Sequence, residues 1–476
     1  MDALGVEPRH PPVLDPGFVP AALWIDAYRA RAAVDAGSVP VIVAVARPDG
    51  TVFRRDLSVL PHEGTNVGIN VTYLERTVKT LLWLKGGSRI IIGGHEPLAE
   101  EIAARYRPGG RREFDYDLLG RRVFREPMTV TTTALDKVPE ERVTTVALGR
   151  HLEGCRIGFD LGGSDRKSAA VVDGEVVFSD EVAWRPYFES DPGYHFDGIM
   201  DSLRRAAVHM PRVDAIGGSA AGVWVDSEPR VGSLFRGVSE EDFDTEIRPL
   251  VSRLRRDWNG IPIEIVNDGE VTALAASMSL GRGGLLGLAL GTSLAAGYCD
   301  PSGHITSQLD ELAFVPLDLS ADAPEDEWSK DAGCGVQYLS QQAVARLAPA
   351  AGLSFADDEP FADRLVRVQE LMERGDGRAR AIYETIGAYL GYAVACFVDW
   401  YEVGDLLVLG RVTSGAGGEV IVETAESLLR EEFGELAADI RVTTPDERFK
   451  RHGQAIAAAS LPEIGGITGR DGEVDA

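Results

Sequence analysis

The run Ile157-Gly158-Phe159-Asp160-Leu161-Gly162-Gly163-Ser164 decides how the chain around it is read. Residues 156–161 are a short apolar stretch that ends in a carboxylate and meets two glycines, the pattern of a buried strand entering a tight turn. Asp165-Arg166-Lys167 leads to a second strand at 168–172, and the Asp173-Gly174 turn to a third at 175–178. Further on, a helix at 198–209 precedes a strand at 213–217 and the small-residue turn Gly218-Ser219-Ala220-Ala221-Gly222. A helix at 247–259 feeds a strand at 263–266 that closes on Asn267-Asp268, and a helix at 271–280 follows. The strand at 285–290 ends in Gly291-Thr292-Ser293. A long Gly- and Ala-rich helix at 379–402 precedes the strand at 406–409 and a glycine-rich turn at 410–418. This alternation predicts an α/β fold with a mixed, mainly parallel sheet flanked by helices.

Upstream, residues 1–38 are Pro-rich, with one short helix expected near 21–36. Val39–Ala46 and 52–60 read as a β-hairpin around Arg47-Pro48-Asp49-Gly50. Apolar spacing predicts a helix at 72–84, a strand at 89–92 and a helix at 96–106, then short strands and turns over 113–150. This order loosely echoes the opening of an actin-like lobe; an unrelated addition is an equal alternative. The turn Gly93-Gly94-His95-Glu96 is a candidate site, although the start of a helix explains it as well.

Composition narrows the function classes. At 476 residues, with 44% hydrophobic and 26% charged residues, the chain is long enough for two or three packed domains. No apolar run reaches the ~18–20 residues that cross a bilayer, and the opening residues lack the pattern of a signal peptide. Cys155, Cys299, Cys334 and Cys396 form no CxxC pair, so no disulfide framework is encoded. A soluble cytoplasmic protein is expected, its residues after Leu461 frayed. The net charge of -27 is uneven: residues 1–150 hold 20 basic and 19 acidic side chains, the remainder 28 and 56. Such a surface repels phosphate backbones and anionic membranes, so neither nucleic acid nor membrane is an expected partner.

Three strands end in small or glycine-rich turns, and ligands of open α/β sheets bind beyond the carboxyl ends of strands. Glycine lets backbone N–H groups approach phosphate oxygens, and Ser or Thr hydroxyls add donors. Each turn alone is also what an ordinary tight turn looks like. Their order, together with Asp160 and Asp268, points to a nucleotide. There is no Gly-Lys dipeptide and hence no Walker A loop, no GxGxxG after a strand, and no HRD or DFG of the protein-kinase type.

On these residues the chain resembles the actin and sugar-kinase superfamily, and within it the ROK family (repressors, open reading frames and kinases). The 157–164 run resembles the first phosphate motif. Ile265-Val266-Asn267-Asp268 with the following helix resembles the Asn-Asp motif, and Leu288-Ala289-Leu290-Gly291-Thr292-Ser293 the second phosphate motif. Leu407-Val408-Leu409-Gly410 with Ser414-Gly415 resembles the adenosine segment, and 454–459 the closing helix. The resemblance spans about 156–462. It implies two actin-like (ribonuclease H-like) lobes around a nucleotide cleft, at 151–275 and 276–476, plus an N-terminal α/β extension at 1–150. The C-terminal helix would return to the first lobe.

The resemblance further implies ATP and Mg²⁺ as cofactors and a sugar-like small molecule as substrate, and it allows a homodimer. Asp268 would be the general base; a helix N-cap is the competing role for an Asp at this place. Asp160 would hold Mg²⁺ through water. Gly162, Gly163 and Ser164 would wrap one phosphate and Gly291, Thr292 and Ser293 another, with Gly410, Ser414 and Gly415 at the nucleotide. Lys167 would reach the phosphates or stand as an exposed strand lysine. Asn267, Asp268, Glu311, Gly218 and Ser219 would contact substrate. The chain departs from the family pattern where Phe314 replaces a His and Val336 a sugar-contacting Glu, and where Cys334 lacks its companion cysteines. No structural zinc is therefore expected, and the substrate is expected to be a non-standard hexose, amino sugar or cyclitol against an apolar wall at Phe314. A DNA-binding repressor would need a basic helix pair before residue 156, which the hairpin and balanced charge there disfavour. A catalytically degenerate binding protein is the remaining alternative.

Overall fold

A computed structural model describes residues 4–143, 147–444 and 453–465. The chain divides into two compact units. The first comprises residues 1–144, 288–296 and 308–444, and the second residues 145–287, 297–307 and 445–476. The tail expected to fray lies largely outside the described residues.

In the first unit, β1 (Val39–Ala46) and β2 (Val52–Val59) form the expected hairpin, and β3 (Arg89–Gly93) and β4 (Thr129–Thr133) complete a sheet of order β2-β1-β3-β4. β1 runs antiparallel to both β2 and β3. That orientation overturns the echo of an actin-like lobe, because a strand that returns through a crossover helix in such a lobe runs parallel to the first. The helix Asn66–Lys85 is buried along nearly its whole length, charged residues included. Residues 113–124, expected as strands and turns, are helical: a short turn at Glu113–Asp115 continues as a π-helix, Tyr116–Phe124. Charge dominates this stretch; its π-helical part buries Leu118, Leu119, Val123 and Phe124, and its first turn buries Asp115.

The second unit is organised on β5 (Cys155–Leu161), β6 (Asp165–Val172), β7 (Glu175–Ala183) and β8 (Ala215–Ala220). A small hairpin, β9 (Val223–Val225) and β10 (Glu228–Val231), precedes β11 (Ile263–Asn267). The sheet order is β11-β8-β5-β6-β7, with β5, β6 and β7 antiparallel in succession and β8 and β11 parallel to β5. This is the ribonuclease H-like arrangement of an actin-like lobe. One core gathers Ile157, Phe159, Leu161, Ile216 and Ile265 from the sheet with Ile199, Leu203 and Leu254 from the helices Pro192–Ala207 and Leu250–Asp257. On β5 and β8 the C-terminal helix Gln454–Ala459 comes so close that a β-carbon at Gly158 would stand 2.0 Å from the Ala455 carbonyl, and one at Gly217 1.6 Å from that of Ala458. Only glycine permits that contact.

The last sheet has the order β13-β12-β14-β15, from β12 (Leu285–Leu290), β13 (Leu294–Cys299), β14 (Asp405–Leu409) and β15 (Arg441–Thr443). The chain passes between the units within β12 and β13. Among the described residues no helix is long and apolar enough to cross a membrane.

Candidate active site

The second unit places Asp160 and Asp268 at the carboxyl ends of β5 and β11, with β8 between them. Strands two apart in a sheet lie roughly 10 Å apart. The charge of Asp160 reaches Asp268 across that gap. Asn267 is the N-cap of the helix Asp268–Leu280: its Oδ1 accepts from the Gly269 N–H at 2.7 Å, while its Nδ2 donates to the Gly222 carbonyl at 2.8 Å. The capping role thus falls to Asn267, which leaves the Asp268 carboxylate with the Gly269 N–H at 3.0 Å. Burial raises the Asp268 carboxyl to about 6, and the charge of Asp160 adds to the rise; backbone hydrogen bonds partly offset both.

Asp160 is held by the Ser219 hydroxyl, which donates to its Oδ1 at 2.7 Å. Burial raises this carboxyl too, against the lowering effects of Ser219 and Lys167. Gly218 and Ser219 were expected in a turn that meets substrate. Both lie inside β8 and are buried, Gly218 against the Phe159 ring and Ser219 directed at Asp160. The strand extends three residues further than expected, because Gly218, Ser219 and Ala220 pair with Phe159, Asp160 and Leu161 of β5 in register.

Only Gly162, Gly163 and Ser164 separate β5 from β6. The Gly162 N–H donates to the Asp165 carbonyl at 2.9 Å, and the Ser164 hydroxyl to Asp165 Oδ2 at 2.8 Å. Two residues that sequence reasoning missed shape this turn. Trp184 Nε1 donates to the Gly162 carbonyl at 2.7 Å, and the Tyr187 side chain lies against Gly163. Lys167 sits in β6 opposite Asp160, half exposed, with Nζ 3.3 Å from Asp165 Oδ1. Burial works against its charge, but Asp165 outweighs this and raises its pKa.

The remaining phosphate-type turns belong to the first unit. Gly291 closes β12, its N–H donating to the Ser293 carbonyl at 2.9 Å, and Thr292 and Ser293 are exposed. Gly410 closes β14 at φ 105°, where a β-carbon would meet the Leu290 carbonyl at 2.5 Å, so the ends of these neighbouring strands lie side by side. Ser414 donates its hydroxyl to the Gly410 carbonyl at 3.2 Å, and Gly415 is the N-cap of the helix Ala416–Glu432. Exposed backbone N–H groups at such a helix start suit an anion.

Glu311 and its neighbours close the end of the helix Asn66–Lys85: the N–H groups of Leu309 and Asp310 donate to the Leu84 carbonyl, and that of Glu311 to the Trp83 carbonyl, each at 3.0 Å. The Phe314 ring lies 4.2 Å from that of Trp83 and 5.5 Å from Phe114, with only 7% of the residue exposed. It is a core residue here, not the wall of a sugar pocket, and Val336 is likewise buried. The nearby Cys334 thiol is pushed up to about 12 by burial. Among the described residues no group of three or more His, Cys, Asp or Glu is placed to hold a metal. The region is instead filled by ion pairs. Arg76, Lys79 and Arg112 all reach Asp331, Lys79 also pairs with Asp115 at 3.0 Å, and Glu75 pairs with Arg76 and Arg112.

No family model and no curated protein matches the chain. Among solved structures, a ROK hexokinase from Thermus thermophilus aligns at 19% identity over 64% of this chain and 97% of its own, with a TM-score of 0.49. A ROK family glucokinase from Streptomyces griseus, in complex with glucose and AMPPNP, aligns at 20% over 64% and 98%, with a TM-score of 0.47. A ROK family transcriptional regulator, a homolog of the E. coli MLC protein, aligns at 17% over 65% and 79%, with a TM-score of 0.49. None of the three reaches a TM-score of 0.5, so neither activity nor substrate is taken from them. All three are ROK family proteins, the family that the motifs of 156–462 resemble.

Proposed function

We propose that the chain transfers a phosphoryl group from ATP to a hydroxyl of a sugar or sugar-like polyol, a non-standard hexose, amino sugar or cyclitol, with Asp268 as the general base. One observation carries this reading: a partly buried carboxylate at the start of a helix whose cap is supplied by its neighbour, raised to about 6. Such a group is ionised at neutral pH and basic enough to accept a hydroxyl proton as the oxygen attacks. Phosphoryl transfer otherwise needs alignment and charge neutralisation. The turns at Gly162-Gly163-Ser164 and Gly291-Thr292-Ser293 would bind phosphates, Gly410, Ser414 and Gly415 the nucleotide, and Asn267 and Glu311 the acceptor.

Burial raises both carboxyls, the charge of Asp160 raises Asp268 further, and Lys167, the cation opposite Asp160, is already paired with Asp165. This donor set fits a divalent cation that keeps most of its waters, and Asp160 would hold Mg²⁺ through one of them. Bound there, Mg²⁺ would neutralise phosphate charge. Ser219 would fix the orientation of the Asp160 carboxylate. In this reading residues 151–275 and 276–476 are the two lobes and 1–150 an extension.

A second reading, a catalytically silent binding or regulatory protein, is favoured by one observation. Phe314 and Val336 occupy positions the resemblance gives to sugar contacts, and both are packed in the core. ADP release with ATP, Mg²⁺ and a panel of sugars, amino sugars and cyclitols separates the two. The kinase reading expects release stimulated by at least one compound and reduced on the order of 10²–10⁴-fold by Asp268→Asn. Equal, unstimulated release by wild type and variant with every compound would leave the silent protein.

A further inference from the structure

The buried ion pairs of the first unit support a loop whose outer side differs from the rest of this acidic chain. Asp326 Oδ2 accepts from the Ser329 N–H at 2.6 Å and the Ser329 hydroxyl at 2.7 Å, and the Lys330 N–H donates to the Asp326 carbonyl at 2.9 Å. Asp331, next in the chain, is fixed by Arg76, Lys79 and Arg112. Between these anchors Lys330 has φ 56°, a left-handed conformation that costs a residue bearing a β-carbon. On this pinned loop the Trp328 residue is 59% exposed, one ring edge meeting Phe114 at 5.3 Å between centroids. A large aromatic held in water by a rigid loop is placed to stack on a ligand.

Beside it opens a cavity of about 590 Å³, within the usual size of small-molecule sites. Four cations line it, Arg111, Arg121, Arg122 and Lys330, against the carboxylates of Glu113 and Asp117. Both carboxylates are engaged: Glu113 accepts from the Gly109 N–H at 2.9 Å, and Asp117 pairs with Arg121 at 3.0 Å. Arg111, Arg122 and Lys330 are exposed and have no ion-pair partner among the described residues. Arg121 and Arg122 stand on the π-helix Tyr116–Phe124, a geometry frequent at functional sites. In a chain of net charge -27 this is a local excess of positive charge beside a flat apolar face.

We propose that this cavity binds a small phosphorylated ring compound, a sugar phosphate or a nucleotide, with its ring on Trp328 and its phosphate among Arg111, Arg122 and Lys330. Guanidinium groups match phosphate oxygens in pairs, and an indole face accepts either the C–H face of a sugar or a base. The site shares no residue with the Asp268 region and does not depend on the kinase reading.

Calorimetric titration of the full chain with glucose 6-phosphate, AMP, inorganic phosphate and glucose tests it, in wild type, Arg122→Gln/Lys330→Gln, Trp328→Ala and Asp268→Asn. At least one ring phosphate is expected to bind wild type and Asp268→Asn alike, and to bind each cavity variant at least about tenfold more weakly. Which of the two binds names the class of ligand, and glucose and inorganic phosphate should bind far more weakly. Because Arg122 and Lys330 are exposed, their double variant keeps the fold even if Trp328→Ala does not. The site does not exist as proposed if neither ring phosphate binds wild type, if binding survives unchanged in Arg122→Gln/Lys330→Gln, or if inorganic phosphate binds as tightly as the ring compounds.

Discussion

The first unit buries six ionisable side chains in charge balance, Glu75, Asp115 and Asp331 against Arg76, Lys79 and Arg112, whereas in the second unit the charge of Asp160 bears on Asp268 and the cation opposite Asp160, Lys167, is paired with Asp165. In the first cluster the cations hold Asp331 and Glu75 below the usual carboxylate range despite burial. In the second, burial pushes both carboxyls up, and the charge of Asp160 adds to the rise at Asp268. Neutralised charge of this kind fixes a fold. Uncompensated charge costs stability, and a protein that keeps it has a use for it.

The contrast can be tested from the larger effect downward. Lys79→Met removes a cation from Asp115 and Asp331, all three buried. Breaking a buried pair in this way costs about 3–5 kcal/mol, and a clear fall in the urea midpoint is expected; an unchanged midpoint would show that the network is dispensable. Ser219→Ala removes a hydrogen bond to a carboxylate, an interaction worth about 1.5–3 kcal/mol. Asp160 should then titrate higher still, so the acid limb of any ATP-dependent activity should move to higher pH. A pH–rate profile that stays in place would deny Ser219 its positioning role.

The smallest effect has the most informative sign. The Asp268 carboxyl is raised in the folded chain, so the stability it contributes is present at low pH and lost as pH climbs through about 6. Asp268→Asn should therefore raise the melting temperature by a few degrees near neutral pH, and the gain should shrink to nothing below about pH 4, where an ordinary carboxyl is also protonated. Asp331 and Glu75 act oppositely: their stabilisation is present above the ordinary carboxyl value and is lost as pH falls through their depressed folded values. A variant destabilised at pH 7 would mean that Asp268 is a structural group.

What could be read in advance follows from how local each signal is. The strand ends at Asp160, Asn267, Leu290 and Leu409 are legible because an apolar run that stops at a small or acidic residue is a local pattern. The same logic misplaced Gly218 and Ser219, since small residues mark a turn and a tightly packed strand equally well. Their placement inside β8 is settled by Phe159 and by the helix Gln454–Ala459, far away in sequence. The ion network was not legible at all: Arg76 and Asp331 are 255 positions apart, and nothing near either residue announces its partner. The antiparallel pairing of β1 and β3 escaped for a similar reason, because hairpin, helix and strand in that order are compatible with either direction.

The contact of Gly158 and Gly217 with the helix Gln454–Ala459 also has a bearing on biosynthesis. The sheet face that this helix covers belongs to strands that precede it by a long stretch of chain, and its cover is synthesised well after them. Until that helix is synthesised the face must wait bare or be shielded by a chaperone, and the second unit cannot finish folding before then. A nonsense mutation just before the helix Gln454–Ala459 would then be as damaging to this lobe as one in its middle.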